Sequence, residues 1–200
     1  MKCLSVEQCR AWIASAGLRL DDNLWIQTPE EETSPPPHYV VIKGFNLNLS
    51  EFSRRLFDWM PVGRERLLIV SNWSSYPPDQ KYLFETIRRG CGISQSLEEA
   101  PGHLFASTKT DSTYYDDRPP IDVEEESIAM WLMALMLEWT WDAYALVEGC
   151  RDAVRLGDEF VEFLTTDPER REAANSLIDQ FGLTSRDTFP WGSVPRGSVH

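Results

Sequence analysis

Arg66-Leu67-Leu68-Ile69-Val70-Ser71 is a nearly unbroken apolar run, too short for a buried helix. A run of this kind predicts a strand covered on both faces. Tyr39-Val40-Val41-Ile42-Lys43 has the same character upstream, and His103-Leu104-Phe105-Ala106-Ser107 is a third strand candidate downstream. Helical segments lie between them. Ser50 is placed to cap one whose Phe52, Leu56 and Trp59 share a side, stopped by Pro61. Asp79, following Pro77-Pro78, is placed to cap another with Tyr82, Leu83 and Ile87 inward and Gly90 as its end. Such β-α-β-α-β alternation predicts an α/β fold, with one mixed sheet covered by helices in a three-layer, sandwich-like arrangement.

Working outward, Ser5-Val6-Glu7-Gln8 reads as a capping box, in which Ser5 and Gln8 satisfy each other's backbone N–H groups. Val6, Cys9, Ile13 and Ala16 then share one helical face, ended by Gly17, and Leu24-Trp25-Ile26 is a short strand candidate. Residues 28–37 combine three glutamates with four prolines and predict an exposed loop.

On the C-terminal side, Ile128, Trp131, Leu132, Leu135, Met136 and Trp139 recur at helical spacing and predict a central buried helix. Its acidic approach, Asp122 to Glu126, suits the positive end of a helix dipole. Asp142 to Glu148, a turn at Gly149 to Asp152, and Ala153 to Leu156 predict a late β-hairpin. Two C-terminal helices are expected to follow. One is opened by Gly157-Asp158 and contains Phe160, Val161, Phe163 and Leu164; the other is capped by Asp167-Pro168, with Leu177, Ile178 and Phe181 inward. The expectation is a single domain over residues 1–183 and a flexible tail over 184–200. Within that tail Val194 to Ser198 matches a common engineered protease linker and carries no functional weight.

With 200 residues, 42% of them apolar and 12% aromatic, the chain can build a core without a metal or disulfide staple. Its cysteines, Cys3, Cys9, Cys91 and Cys150, form no CxxC and fit no metal-binding spacing. No apolar run reaches the length of a membrane span, and no signal-peptide pattern precedes Ser5, so the expected compartment is the cytoplasm. A formal charge of −13 argues against a nucleic-acid backbone as partner. The same charge would steer a basic protein toward the surface.

For acid–base chemistry the one histidine in a structured setting is His103, in Pro101-Gly102-His103. The catalytic candidates are therefore His103 as base, Cys91 as nucleophile, and Asp142 or Asp158 orienting the ring. The plain alternative makes His103 a hydrogen-bonding corner and Cys91 a filler residue. Cys91 sits between glycines after a helix rather than at a helix N-terminus, where a thiolate would be stabilised. No GxSxG, GxGxxG or Walker pattern occurs, and no calcium-loop spacing, so neither a cofactor nor a metal is expected. Ser71, Trp73, Arg88 and Arg89 form a candidate anion site, because ligands of open α/β sheets gather beyond strand C-termini. Trp139 and Trp141 with Glu138, together with Asp116 and Asp117 of the acidic segment, form a candidate anchor for a basic partner. Burial of the indoles in the core is the alternative.

Trp73 with Pro77-Pro78, Arg88 to Gly92, the PGHLF segment from Pro101 to Phe105, and the WDAY segment from Trp141 to Tyr144 followed by Gly157-Asp158-Glu159-Phe160 occur together. In this respect the chain resembles a family of uncharacterised bacterial proteins over about residues 39–165. The resemblance implies no activity and carries over no catalytic residue. In general character the chain is similar to the small acidic α/β proteins that neutralise toxins, an analogy of type without a shared motif. The leading expectation is a non-enzymatic acidic binding protein, immunity-like or adaptor-like. The alternative is a small-molecule enzyme or sensor with a pocket around His103, Arg88 and Asp142.

Overall fold

The computed structural model describes residues 1–27, 38–42, 47–61, 65–71, 73, 76–105, 123–157 and 160–186. In chain order these form β1 (Lys2–Leu4), α1 (Val6–Ala14), β2 (Arg19–Leu20), β3 (Ile26–Gln27), β4 (His38–Ile42), α2 (Leu49–Trp59) and β5 (Arg66–Val70). There follow α3 (Pro78–Gly90), β6 (Gly102–Phe105), α4 (Val123–Glu138), β7 (Ala143–Val147), β8 (Ala153–Gly157), β9 (Phe160–Leu164), α5 (Pro168–Gln180) and β10 (Thr184–Arg186). The fold is α/β. Among the described residues eight strands make one open sheet in the order β1-β6-β5-β7-β8-β9-β4-β10, and β2 and β3 form a separate small ribbon.

The sheet is not mixed: each of its hydrogen-bonded pairs is antiparallel. The alternation of strands and helices was read correctly, but the strands it joins are not neighbours of the expected kind. The meander β7-β8-β9 inserts between β4 and β5, so the chain that crosses through α2 never pairs those two strands. Between β5 and β6 the helix α3 is an excursion rather than a crossover. The segment 91–101 brings the chain back to the end of the sheet it left, where Val70 N–H bonds to the Pro101 carbonyl and Ile69 pairs with Gly102.

Alternation along the strands divides the core into two layers. Leu68, Val70, Ala143, Ala145, Val147, Val154, Leu156, Val161 and Phe163 face α2, α3, α4 and α5. Leu67, Ile69, Tyr144, Leu146 and Ala153 face the other way, toward Cys9 and Ile13 of α1 and toward Leu18 and Leu24. The helices therefore flank the sheet on both sides. Among the described residues, no helix is long and apolar enough to cross a membrane.

Local signals explain most boundaries. Ser5 and Gln8 form the expected capping box, and Asp167 caps α5 with Pro168 in its first turn. The cap of α2 is Asn48 rather than Ser50, since the Asn48 side chain accepts the Glu51 N–H at 3.2 Å. Asp79 lies inside the first turn of α3, whose N-cap is Pro77. Among the described residues α5 is the one C-terminal helix, because Phe160–Leu164 is a strand. Val161 and Phe163 enter the large core while Glu162 points to the opposite face at 3.6 Å from Arg155, and that period of two is incompatible with a helix. The late hairpin thus becomes a three-stranded meander. Thr184–Arg186, at the start of the expected tail, pairs with β4, and Lys2–Leu4 adds an edge strand to β6. Residues 28–37, 158–159 and 187–200, with the loop, helix start and tail expected there, lie outside the described residues.

Candidate functional site

The register of β1, β6, β5 and β7 places Cys3, His103, Leu68 and Ala145 side by side on the helix-rich face. Arg88, near the end of α3, points inward over this row and is fully buried, as is His103. Its Nε–H donates to His103 Nε2 at 3.0 Å, and Nη2 donates to the Ala100 carbonyl at 2.7 Å. His103 Nδ1 lies 3.3 Å from the Leu68 carbonyl. An imidazole that accepts at Nε2 and donates from Nδ1 is neutral, and neither nitrogen remains free. Burial, and next the Arg88 charge, push the His103 pKa down to about 3. At neutral pH this ring is a hydrogen-bond bridge and not a proton acceptor.

Arg88 itself is incompletely satisfied. Its Nη1 is buried without a hydrogen-bond partner. Glu85, one turn earlier, uses its carboxylate on the Leu97 N–H at 3.0 Å and on Arg89 at 3.7 Å. The thiol that shares this cluster is Cys3, not Cys91: Cys3 and Arg88 interact through charge and through a side-chain hydrogen bond. Burial holds the Cys3 thiol above its ordinary pKa, against the opposing pull of Arg88. Cys91 is the C-cap of α3, with a half-buried thiol also pushed up by burial. Edge-strand pairing is what brings Cys3 to His103, and a three-residue strand leaves little signal in a sequence.

Asp142 and the anion-site candidates Ser71 and Trp73 belong to a different place, beyond the C-terminal end of β5. The Ser71 N–H donates to the Asp142 carbonyl at 3.0 Å. Tyr76 Oη sits between them, 2.9 Å from the Ser71 carbonyl and accepting the Asp142 N–H at 2.6 Å. The Tyr76 ring stacks on Trp141 at 4.1 Å with an 8° interplanar angle, and Phe84 and Trp139 complete the cluster. Lys81 lies over the Trp73 ring at 4.5 Å. Arg88 turns inward whereas Arg89 is exposed beside Glu85, so the four anion-site candidates do not converge.

The partner-binding candidates also separate. Trp141 is 1% exposed, with its indole N–H donated to Gln80 Oε1 at 3.2 Å, and Trp139 is half-buried against the core. Glu138 is exposed. Asp116 and Asp117 lie outside the described residues. Among the described residues two aromatic side chains face solvent: Tyr82 of α3, 69% exposed where it was expected inward, and Trp131, 65% exposed in the middle of α4. The buried side of this helix is Ala129, Leu132, Met133, Met136 and Leu137. Its outer stripe is Ile128, Trp131, Leu135 and Glu138, with the flanking aliphatics half-buried. Trp131 was expected inside. An almost uniformly apolar helix offers two equally periodic sets, and spacing alone cannot choose which one meets the sheet.

Among the described residues no group of three His, Cys, Asp or Glu side chains could hold a metal. Comparison with protein-family profiles, with curated proteins and with solved structures finds no match to this chain.

Proposed function

We propose that this chain is a non-enzymatic acidic binding protein, immunity-like or adaptor-like, that receives a basic protein partner on the outer stripe of α4. The observation carrying this reading is Trp131, a large indole left in solvent on a helix whose other side is packed into the core. Trp is over-represented among residues that dominate binding energy, because it buries a large rigid area at little conformational cost. Ile128 and Leu135 extend the apolar stripe on either side, and Glu138, two turns on from Trp131, supplies a carboxylate at its end. The net charge of −13 steers a cationic partner toward this surface and repels acidic ones. The fitting occupant is a basic amphipathic segment whose apolar side covers Trp131.

The competing pocket around His103, Arg88 and Asp142 would need a free imidazole nitrogen. Arg88 and the Leu68 carbonyl engage both of them, and the Asp142 backbone lies at Tyr76, beyond the C-terminal end of β5.

A synthetic Lys/Leu amphipathic peptide and its Glu/Leu counterpart are suitable probes, read by indole fluorescence. The Lys/Leu peptide should bind with an affinity that falls with salt, and Trp131→Ala should weaken it by more than about tenfold. The Glu/Leu peptide should not bind. Equal binding of both peptides, no binding of either, or full binding by Trp131→Ala would refute the assignment. A solution dimer that dissociates on Trp131→Ala would reassign the stripe to self-association.

A further inference from the structure

We infer that the docking surface proposed on α4 continues onto α3, so that one basic amphipathic segment covers both Trp131 and Leu83. The inference rests on the α4 reading and extends it. Among the described residues the exposed large hydrophobic side chains are Trp131, Tyr82 and Leu83, and all three stand on the outside of the same helical layer. Phe84 and Arg88 turn α3 toward the sheet, as Leu132, Met133 and Met136 turn α4, so the opposite sides of both helices point away from it.

The two helices meet through their aromatic residues. Phe84 lies edge-on to Trp139 at 6.2 Å between ring centres, and Gln80 accepts the Trp141 indole N–H at 3.2 Å. Gln80, Leu83, Phe84 and Ile87 fall at helical spacing on that flank of α3. Leu83, 48% exposed, and the half-buried Ile87 therefore border the Trp139 end of α4, and Leu135 and Trp131 continue the apolar path along that helix. Trp131 and Trp139 are two turns apart, roughly 12 Å of helix, within reach of a single segment. A specific complex buries roughly 800 Å² on each partner, more than one indole and its half-buried neighbours on α4 supply. Charge selects the occupant. Asp79, one turn before Leu83, and Glu138, two turns after Trp131, are exposed carboxylates at the margins of the path. The exposed cation Arg89 lies 3.7 Å from Glu85, and Lys81 is tied to Glu98 at 3.0 Å. A segment that presents leucines to Leu83, Trp139 and Trp131, and lysines to Asp79 and Glu138, fits this surface; an acidic one meets carboxylates at both margins.

The test uses the full chain and a dye-labelled Lys/Leu peptide of about 18 residues, roughly 27 Å long as a helix, read by anisotropy. Leu83→Gln should weaken binding roughly fivefold and Leu83→Lys more than about tenfold, with Trp131 intact. Ala173→Lys, which adds the same charge on the exposed side of α5, should change affinity less than about twofold. Weakened binding in Trp131→Ala with both Leu83 variants unaffected overturns this inference and leaves the α4 reading standing. So does an Ala173→Lys loss as large as that of Leu83→Lys. Failure of the peptide to bind the unaltered chain removes both.

Discussion

Two arginines, Arg88 and Arg155, are drawn into the interior from opposite faces of the sheet, and they are accommodated in opposite ways. Arg155 extends from β8 toward Glu162 on the neighbouring β9, 3.6 Å away, and its guanidinium lies 4.7 Å from the ring centre of Trp25 and 5.1 Å from that of Phe160. A carboxylate and π faces together compensate the charge. Arg88 reaches in from a helix and meets a neutral imidazole, a carbonyl and a thiol, with the Glu85 carboxylate, itself engaged elsewhere, acting on its charge. The first arrangement sets a charge against an opposite charge. The second relies on hydrogen bonds to neutral acceptors, with Nη1 buried and without one.

The largest effect should come from breaking the Arg155–Glu162 ion pair. Glu162→Ala removes the carboxylate 3.6 Å from Arg155, and denaturant unfolding should show a loss of about 3 kcal/mol or more. A loss below about 1 kcal/mol would mean that Glu162 is not the main compensation for the Arg155 charge. Next comes acid sensitivity at the Arg88 cluster. Folded His103 resists protonation down to about pH 3, whereas the unfolded chain takes up that proton near its ordinary pKa of 6.5. The unfolded state therefore binds more protons between those values, and stability falls as pH is lowered through that window. The slope from this residue approaches about 1.4 kcal/mol per pH unit. His103→Gln, which keeps an acceptor for Arg88, should flatten the difference in unfolding free energy between pH 7 and pH 5; an unchanged slope would place the acid sensitivity elsewhere.

Arg88→Met sharpens the contrast further. Removing an incompletely paired charge relieves its own burial cost while leaving His103 Nε2 and the Ala100 carbonyl without a donor. The expected net loss is about 1–2 kcal/mol by denaturant unfolding, clearly smaller than for Glu162→Ala. The smallest effect belongs to Trp131→Ala on the outside of α4, which should move stability by no more than about 0.5 kcal/mol. A larger loss there would indicate that the indole is packed, contrary to its exposure.

Much of the fold was legible where the deciding interaction is local. The capping box at Ser5 and Gln8 and the cap at Asp167-Pro168 are written within four residues. The apolar runs at Leu67–Val70 and Leu104–Phe105 appear as strands for the same reason. Phe160–Leu164 was misread because a glycine and an aspartate suggested a helix start, although the alternation of Val161, Glu162 and Phe163 already carried the period of a strand. For the site, Arg88 and His103 were singled out separately, and they do meet. Cys3 was passed over because its strand is three residues long and is held by pairing with β6 from a hundred residues away.

By itself the sequence determined the class of most elements, the caps at Ser5 and Asp167, the acidic charge and the amount of core, since these follow from composition and from neighbours along the chain. The tertiary structure alone decided that the meander β7-β8-β9 divides β4 from β5, which side of α4 faces water, and which thiol shares the Arg88 cluster. Each of those outcomes depends on which distant segments compete to cover the same apolar surface, and a pattern read residue by residue along one chain does not contain the result of that competition.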